Sequence, residues 1–255
     1  MSPAAESAFK DHFSHLAAAY ASFRPHYPAA LFEFLAGCCL RRELAWDCAC
    51  GSGQATIDLA RQFRAVVATD ASAAQIAAAV ARANVQYRVA SAVASGLAAE
   101  SADLVSVAQA LHWFDLEPFY AEVRRVLRSS GVLAAWTYGV LHVAGEEIDR
   151  CVQRFYWDTL GAYWPAERKL VEEGYRSLPF AFAQMPAPAF EMQEHWSLPQ
   201  LIGYVRSWSA SARYLEKNGA DPAAALEEEL APLWDTPAQL RRIRWPLSLR
   251  IGVKP

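Results

Sequence analysis

The residues of this 255-residue chain that invite chemistry first stand between 46 and 56, where it reads WDCACGSGQAT. A carboxylate (Asp47), two thiols (Cys48, Cys50) and two stretches of bare backbone (Gly51, Gly53) share one short turn. With Cys38 and Cys39 nearby, a metal has to be weighed, because thiolates are good zinc ligands. Structural zinc takes C-x2–4-C pairs, whereas adjacent or once-spaced cysteines place two sulfurs poorly around one tetrahedral ion. The cysteines therefore read as packed, reduced thiols, and no metal is expected. The glycines suit a different role, since they clear side chains where a ligand approaches main chain and they permit φ > 0.

Asp70 ends the next apolar run, AVVATD, and a carboxylate there can accept both hydroxyl hydrogens of a ribose. Glycine turn and Asp70 together describe a site for a nucleoside-containing cofactor, either NAD or S-adenosylmethionine. The NAD fingerprint G-x-G-x-x-G places a third glycine where this chain has Thr56. Asp47 would also repel a pyrophosphate arriving at the following helix N-terminus. The same carboxylate favours an α-ammonium and a sulfonium, so the residues point to adenosylmethionine. An NAD-dependent oxidoreductase and a non-catalytic adenosylmethionine-binding protein are the alternatives.

Further along stand groups suited to the acceptor. His112 follows the apolar run DLVSVAQ and is the candidate base for a protonated nucleophile; the alternative is a structural histidine held by neighbouring backbone. Trp113 and Trp136 are candidate walls, since an aromatic face tolerates a cation, with core packing as the alternative. Tyr138 fits either wall or base. Arg168 and Tyr163 in YWPAER, with Trp208 in SWSA, form a candidate lid. A guanidinium fork is the natural partner of a carboxylate, and a surface salt bridge to Glu167 or Glu172 is the competing role. Asp115 reads as a helix cap.

These groups need a scaffold that brings loop ends together. Apolar runs at 44–48, 65–70, 85–91, 103–109 and 132–138 alternate with helical patterns, including a helix opened by Ser72 and Gln75 with Ile76, Ala79, Val80 and Ala83 inward. Strand–helix alternation at this pitch predicts an α/β, doubly wound parallel sheet, with ligands outside the carboxyl ends of the strands. An amphipathic helix (Phe9, Phe13, Leu16, Tyr20, Phe23) precedes FRPHYP. After residue 140 the pattern becomes helical and aromatic-rich over 146–177. A strand follows at 189–197, helices at 198–234, and a final alternating strand in which Pro246 suggests an edge or a bulge. One domain results: 1–28 as a covering helix, 29–140 as the cofactor core, 141–188 as a helical insert after strand 5, and 189–255 as the last strands and helices.

These residues resemble the class I S-adenosylmethionine-dependent methyltransferases, and within them the trans-aconitate methyltransferase-like group. FRPHYP is similar to the group's YRPxYP, WDCACGSGQAT to its D-x-G-C-G-T-G-Q, and RRVLRSSGVLAAWTYG to its R-V-L-x-x-G-G-x-L. SADLVSVAQALHWFD, YWPAERKLVEEGY and RSWSASARY are similar to later signatures. The resemblance implies a seven-stranded Rossmann-like sheet whose last strand is antiparallel, and a methyl transfer to an oxygen of a small molecule, with a carboxylate as one candidate. It places Asp47, Ala49, Gly51 and Gln54 around the methionine part of the cofactor and Asp70 on the ribose. Ala71 and Ser72 fall beside the adenine, Ala92 and Val93 at its other edge, and Gln109 with Ala110 under the methionine. Tyr20 and Arg24 would reach over from the N-terminal helix. Three positions depart from the group: Ala49 replaces a glycine, which is tolerable only if that residue keeps φ < 0, Val93 stands where an acidic residue is common, and Ser130 replaces another glycine.

A net charge of −3 provides no global attraction to nucleic acid or anionic membrane. The N-terminal stretch lacks a signal-peptide pattern, and no run approaches the roughly 20 apolar residues of a membrane helix. A cytoplasmic protein acting on a small molecule, without nucleic-acid or membrane partners, is expected; oligomeric state is not legible.

Overall fold

The computed structural model describes residues 25–254, so the expected N-terminal helix, Tyr20 and Arg24 lie outside the described residues. β1 (Leu44–Cys48), β2 (Ala65–Asp70), β3 (Val85–Val89), β4 (Ala102–Ala108) and β5 (Leu127–Tyr138) pair in parallel in the order β3-β2-β1-β4-β5. β9 (Arg241–Val253) lies antiparallel against β5, and β8 (Phe190–Trp196) pairs antiparallel with β9. Two-residue strands β6 (His142–Val143) and β7 (Ala183–Gln184) also pair with β9. The seven longer strands are those expected from the sequence, with the last one antiparallel.

The pattern of side chains explains the layers. Along β5, Val132, Ala134 and Trp136 join one core, while Leu133 and Ala135 join the other, as the period of two requires. The first core lies under the helices Ala29–Gly37 and Gln54–Gln62 and the insert. The second lies under Leu116–Val126, which turns Phe119, Val123 and Val126 inward. β4 is buried along almost its whole length, which is why it reads as an unbroken apolar run.

One local expectation is corrected, and two other positions gain an explanation. The helix after Ser72 spans only Ala73–Ala77, buries no residue, and leaves Val80 54% exposed, although Ser72 does accept from the Gln75 N–H as a cap. Alanine-rich chain has high helix propensity but offers little apolar area to bury, and short helices without packing do not propagate. Pro246 lies inside β9, paired with Glu191 on one side; on the other the register shifts by one residue between Tyr138↔Leu247 and His142↔Arg244, a bulge of the kind the proline suggested. Its carbonyl accepts from the Gly139 N–H on the other side, so its missing donor falls in the break between β5 and β6. Ser130 takes φ 63 at the irregular start of β5, a left-handed conformation that a glycine would adopt without a Cβ penalty.

The insert begins with the helix Glu146–Arg154, which runs directly into a π-helical turn, Phe155–Thr159. A 3-10 turn, Gly161–Tyr163, and the short helix Arg168–Glu172 follow. Leu198–Arg206, Ser209–Asn218 and Pro222–Leu230 supply the later helices.

Candidate active site

Register brings the loop ends to one edge of the sheet. Cys48 lies beside Thr69 and Val107, and Ala108 beside Trp136, so the chain leaves β1, β2, β4 and β5 at adjacent points. The turn after β1 is left-handed at three residues: Ala49 (φ 55), Gly51 (φ 57) and Gly53 (φ 89). The condition under which alanine would be tolerated at position 49, φ < 0, is therefore not met. The turn needs a left-handed residue there, at a cost of about 1–2 kcal/mol for a residue with a Cβ. At Gly53 a Cβ would lie 2.5 Å from the Tyr87 hydroxyl, so this glycine answers both to its own backbone and to a neighbour in β3. Gln54 opens the helix behind the turn and donates through Nε2 to the Pro25 carbonyl at 2.6 Å, tying the turn to the PHYP segment.

Asp47 lies beneath this turn, fully buried. Its Oδ2 accepts from the Thr56 hydroxyl at 2.5 Å and its Oδ1 from the Ser106 hydroxyl at 2.9 Å. Burial pushes its pKa up to about 6 despite those two hydrogen bonds. Thr56, the residue that breaks the NAD pattern, is thus the partner of the carboxylate that disfavours pyrophosphate. Asp47 acts on the loop as a charge from below rather than as a surface contact. Asp70 is placed differently: Oδ2 accepts from the Gly51 N–H and Oδ1 from the Ser72 N–H, each at 2.8 Å. A carboxylate oxygen has two lone-pair sites, so each oxygen retains one for a ligand hydroxyl. The turn, its glycines and Asp70 fit an adenosyl cofactor by this donor and acceptor chemistry.

Ala71 is exposed next to Ser72, and across the edge Ala92 is half-buried while Val93 is 42% exposed. Ala92 and Val93 occupy a tight turn closed by the Ser91–Ala94 bridge. At the exit of β4, Gln109 is left-handed (φ 57) and accepts a short hydrogen bond from the Thr137 hydroxyl. Ala110 is buried, and a 3-10 turn Leu111–Trp113 carries His112 and Trp113 outward, with Trp113 42% exposed. His112 Nδ1 lies 2.8 Å from the Tyr175 hydroxyl. Burial, reinforced by the charge of Arg168, pulls the His112 pKa down to about 4. The imidazole is neutral at pH 7, but it is a weak proton acceptor.

Arg168 does pair with Glu172, as the sequence left open, but in a largely buried pair rather than on the surface. Its Nε donates to the Tyr156 hydroxyl at 2.7 Å, and that hydroxyl donates to Glu172 Oε1 at 2.7 Å, with Glu172 itself 3.8 Å from Arg168. The guanidinium lies 4.9 Å from the centre of the Trp164 ring and 5.6 Å from that of Tyr156. Trp208 backs this group, 5.6 Å from both rings, and is itself buried. Tyr163, predicted to join Arg168, faces away: it stacks on Tyr214 at 4.9 Å, and its hydroxyl accepts from Asn218. Trp164, extended after a 3-10 turn, takes the place expected of its neighbour. Trp136 is corrected as well; it is fully buried among Tyr27 and Phe32 and lines no open face. Tyr138, two residues on along β5, is half-buried at the sheet edge and is among the groups acting electrostatically on Arg168. The sequence reading missed Tyr156, Trp164 and Tyr175. The last ends the YWPAERKLVEEGY signature, but nothing in its spacing reveals that it meets His112.

A family model described as a methyltransferase domain matches residues 46–135. A Dictyostelium discoideum protein that carries the name of a methyltransferase is 34% identical over 252 residues, 96% of this chain and 96% of its own. A Saccharomyces cerevisiae protein named for S-adenosylmethionine-dependent methyl transfer is 34% identical over 131 residues, 47% of this chain and 44% of its own. A solved structure from Anaeromyxobacter dehalogenans, titled as a type II methyltransferase, shares 44% identity at a TM-score of 0.87, covering 91% of this chain and 98% of that one.

Proposed function

The chain belongs to the class I S-adenosylmethionine-dependent methyltransferases, and from that premise we propose that it methylates an oxygen of a small molecule bearing a carboxylate. Bound adenosylmethionine supplies an electrophilic methyl on a sulfonium. Asp70 holds the ribose hydroxyls, the turn at Ala49–Gly53 with Gln54 lies against the methionine part, and Asp47 favours its positive charge. Gln109 and Ala110 close the site from below, and Ala71, Ser72, Ala92 and Val93 border the adenine. Transfer is an in-line displacement, in which holding the acceptor at the right distance and angle accounts for much of the rate.

The observation that carries the acceptor class is Arg168. Its Nε edge is committed to Tyr156, its face lies on Trp164, and its two terminal nitrogens make no hydrogen bond among the described residues. A largely desolvated guanidinium whose two terminal nitrogens are unused among the described residues fits a carboxylate. His112 supports the same choice. A carboxylate needs no base, whereas an alcohol or an ammonium would ask an imidazole of pKa about 4 to take a proton. Trp113, Tyr138 and Trp164 border the acceptor on this reading. The five free thiols fit a reducing compartment such as the cytoplasm.

A panel of small carboxylic acids, their amides and matched amines, tested with methyl-labelled adenosylmethionine, decides the class. Acids should be the better acceptors, and Arg168→Met should raise KM for them roughly tenfold to a hundredfold, the scale of a charge-assisted hydrogen bond. Amines or amides outperforming acids, or an unchanged KM in Arg168→Met, would refute the assignment.

A further inference from the structure

Glu122 lies in the middle of Leu116–Val126, away from every residue assigned above, yet it is a buried carboxylate with an unusually full set of donors. Its Oε1 accepts from the Ser95 N–H at 2.9 Å and from the Ser95 hydroxyl at 2.5 Å. Arg125, one turn on, donates Nε to Oε2 at 2.7 Å and Nη2 to Oε1 at 2.8 Å. The same Nη2 also reaches the Leu97 carbonyl at 2.8 Å. Ser95 and Leu97 are buried, and Gly96 between them is left-handed at φ 72. The segment 95–97 is therefore gripped at donor and acceptor positions by one ion pair on a distant helix.

That segment is the immediate continuation of the Ser91–Ala94 turn at the exit of β3. The turn's own bonds are few: Ala94 N–H to the Ser91 carbonyl at 3.2 Å and Val93 N–H to the Ser91 hydroxyl at 3.3 Å. Neither Ala92 nor Val93 carries a polar side-chain atom. Any hydrogen-bonded recognition of an adenine edge by these two residues must therefore come from main chain. Main-chain groups discriminate only if the turn is held in place, and nothing within the turn is strong enough to hold it. Glu122 and Arg125 supply that hold, and they join it to the helix that begins just after His112 and Trp113.

We propose that Glu122, with Arg125, is a positioning residue for nucleobase recognition, fixing the Ala92–Val93 turn so that its backbone reads adenine. This rests on the placement of adenine at that turn in the proposed function. Asp103 provides a matched control. It is also buried, accepts from two backbone N–H groups (Glu43 and Leu44, at 2.8 and 3.0 Å) and pairs with an arginine, Arg128. It sits at the opposite, amino end of the parallel strands.

The experiment is calorimetric titration of S-adenosylhomocysteine and S-inosylhomocysteine, which differ only at the base, into the full chain well below its Tm. Glu122→Gln should weaken adenosylhomocysteine binding about tenfold and shrink its preference over the inosyl compound. Ser95→Ala, a milder change that keeps the fold, should do the same by about threefold. Asp103→Asn should lower Tm but leave the preference intact. The proposal is overturned if Glu122→Gln and Ser95→Ala bind both ligands as the parent does, or if they lose affinity for both equally. Val93→Asp tests the underlying placement separately: an acidic group there should raise the preference for the 6-amino base. An unchanged preference in that variant would remove adenine from the turn and the proposal with it.

Discussion

Replacing Asp47 with asparagine should make the apoprotein more stable at pH 8 while weakening its hold on adenosylmethionine. The folded-state pKa of about 6 exceeds the ordinary aspartate value by roughly two pH units, or about 3 kcal/mol at about 1.4 kcal/mol per unit. The sign follows from linkage. A carboxyl whose pKa is raised on folding contributes stability that is complete below about pH 4 and is lost as pH rises through 6. At pH 8 the parent protein bears the whole cost of an ionised, buried group. An amide avoids it and keeps its hydrogen bonds: it can accept from Thr56 and donate to Ser106, whose hydroxyl proton can swing to the Trp46 carbonyl 3.5 Å away. Allowing about half the gain for imperfect geometry leaves 1–2 kcal/mol, a rise of roughly 2–6 °C in Tm for a chain of this size. Binding moves the other way. An ammonium some 6 Å from the carboxylate, at an effective dielectric of about 20, gains roughly 3 kcal/mol, and partial screening leaves about a tenfold effect on Kd. Thermal unfolding of parent and variant from pH 4 to 8, with calorimetry of adenosylhomocysteine at pH 8, measures both. The reasoning fails if the difference in Tm between the two is independent of pH, or if the variant binds the ligand as tightly as the parent.

Two other changes address local features. Ala49→Gly removes the Cβ from a residue at φ 55 and should stabilise the protein by about 1 kcal/mol in urea unfolding, with no loss of cofactor affinity; destabilisation would show that the methyl packs well enough to offset the strain. Because burial holds the His112 pKa near 4, its ionisation should leave the rate constant for transfer flat between pH 5.5 and 8. A limb near pH 6.5 that disappears in His112→Gln would identify it as a working base after all. The depressed pKa also means that His112 contributes stability above pH 6.5 that is lost as pH falls toward 4, a loss His112→Gln should not share.

Most of the frame was legible in the order of residues. β1 and β2 span the residues that the apolar runs predict, and β3, β4 and β8 differ by a residue or two; Asp115 holds the N-cap position expected of it, although its side chain makes no capping hydrogen bond. Patterns of period two and 3.6 are written locally and need no partner to be read. Asp47, Gly51, Gly53 and Asp70 were recognisable for a related reason: the chemistry of the turn depends on residue types at fixed short spacing. The site's other half was not readable in this way. Tyr163 and Trp164 are equally aromatic neighbours, and only the 3-10 turn that ends at Tyr163 decides which one meets Arg168. Trp136 looked like a wall because it ends a strand at the right edge, yet the face it points to is filled by Tyr27 and Phe32.

The sequence by itself determined the alternating sheet, the left-handed glycine turn and the carboxylates on either side of it, because each follows from backbone preference or from spacing of a few residues. Tertiary structure alone decided that Asp47 is sealed under the turn by Thr56 and Ser106, that His112 meets Tyr175 sixty-three residues away, and that Glu122 grips the loop residue Ser95 from the helix Leu116–Val126. It also decided that Ala49 must be left-handed, since the turn answers to Asp70 through the Gly51 N–H and not to alanine's own preference. Contacts across such separations depend on how layers stack and where their side chains find room, and no local pattern encodes that.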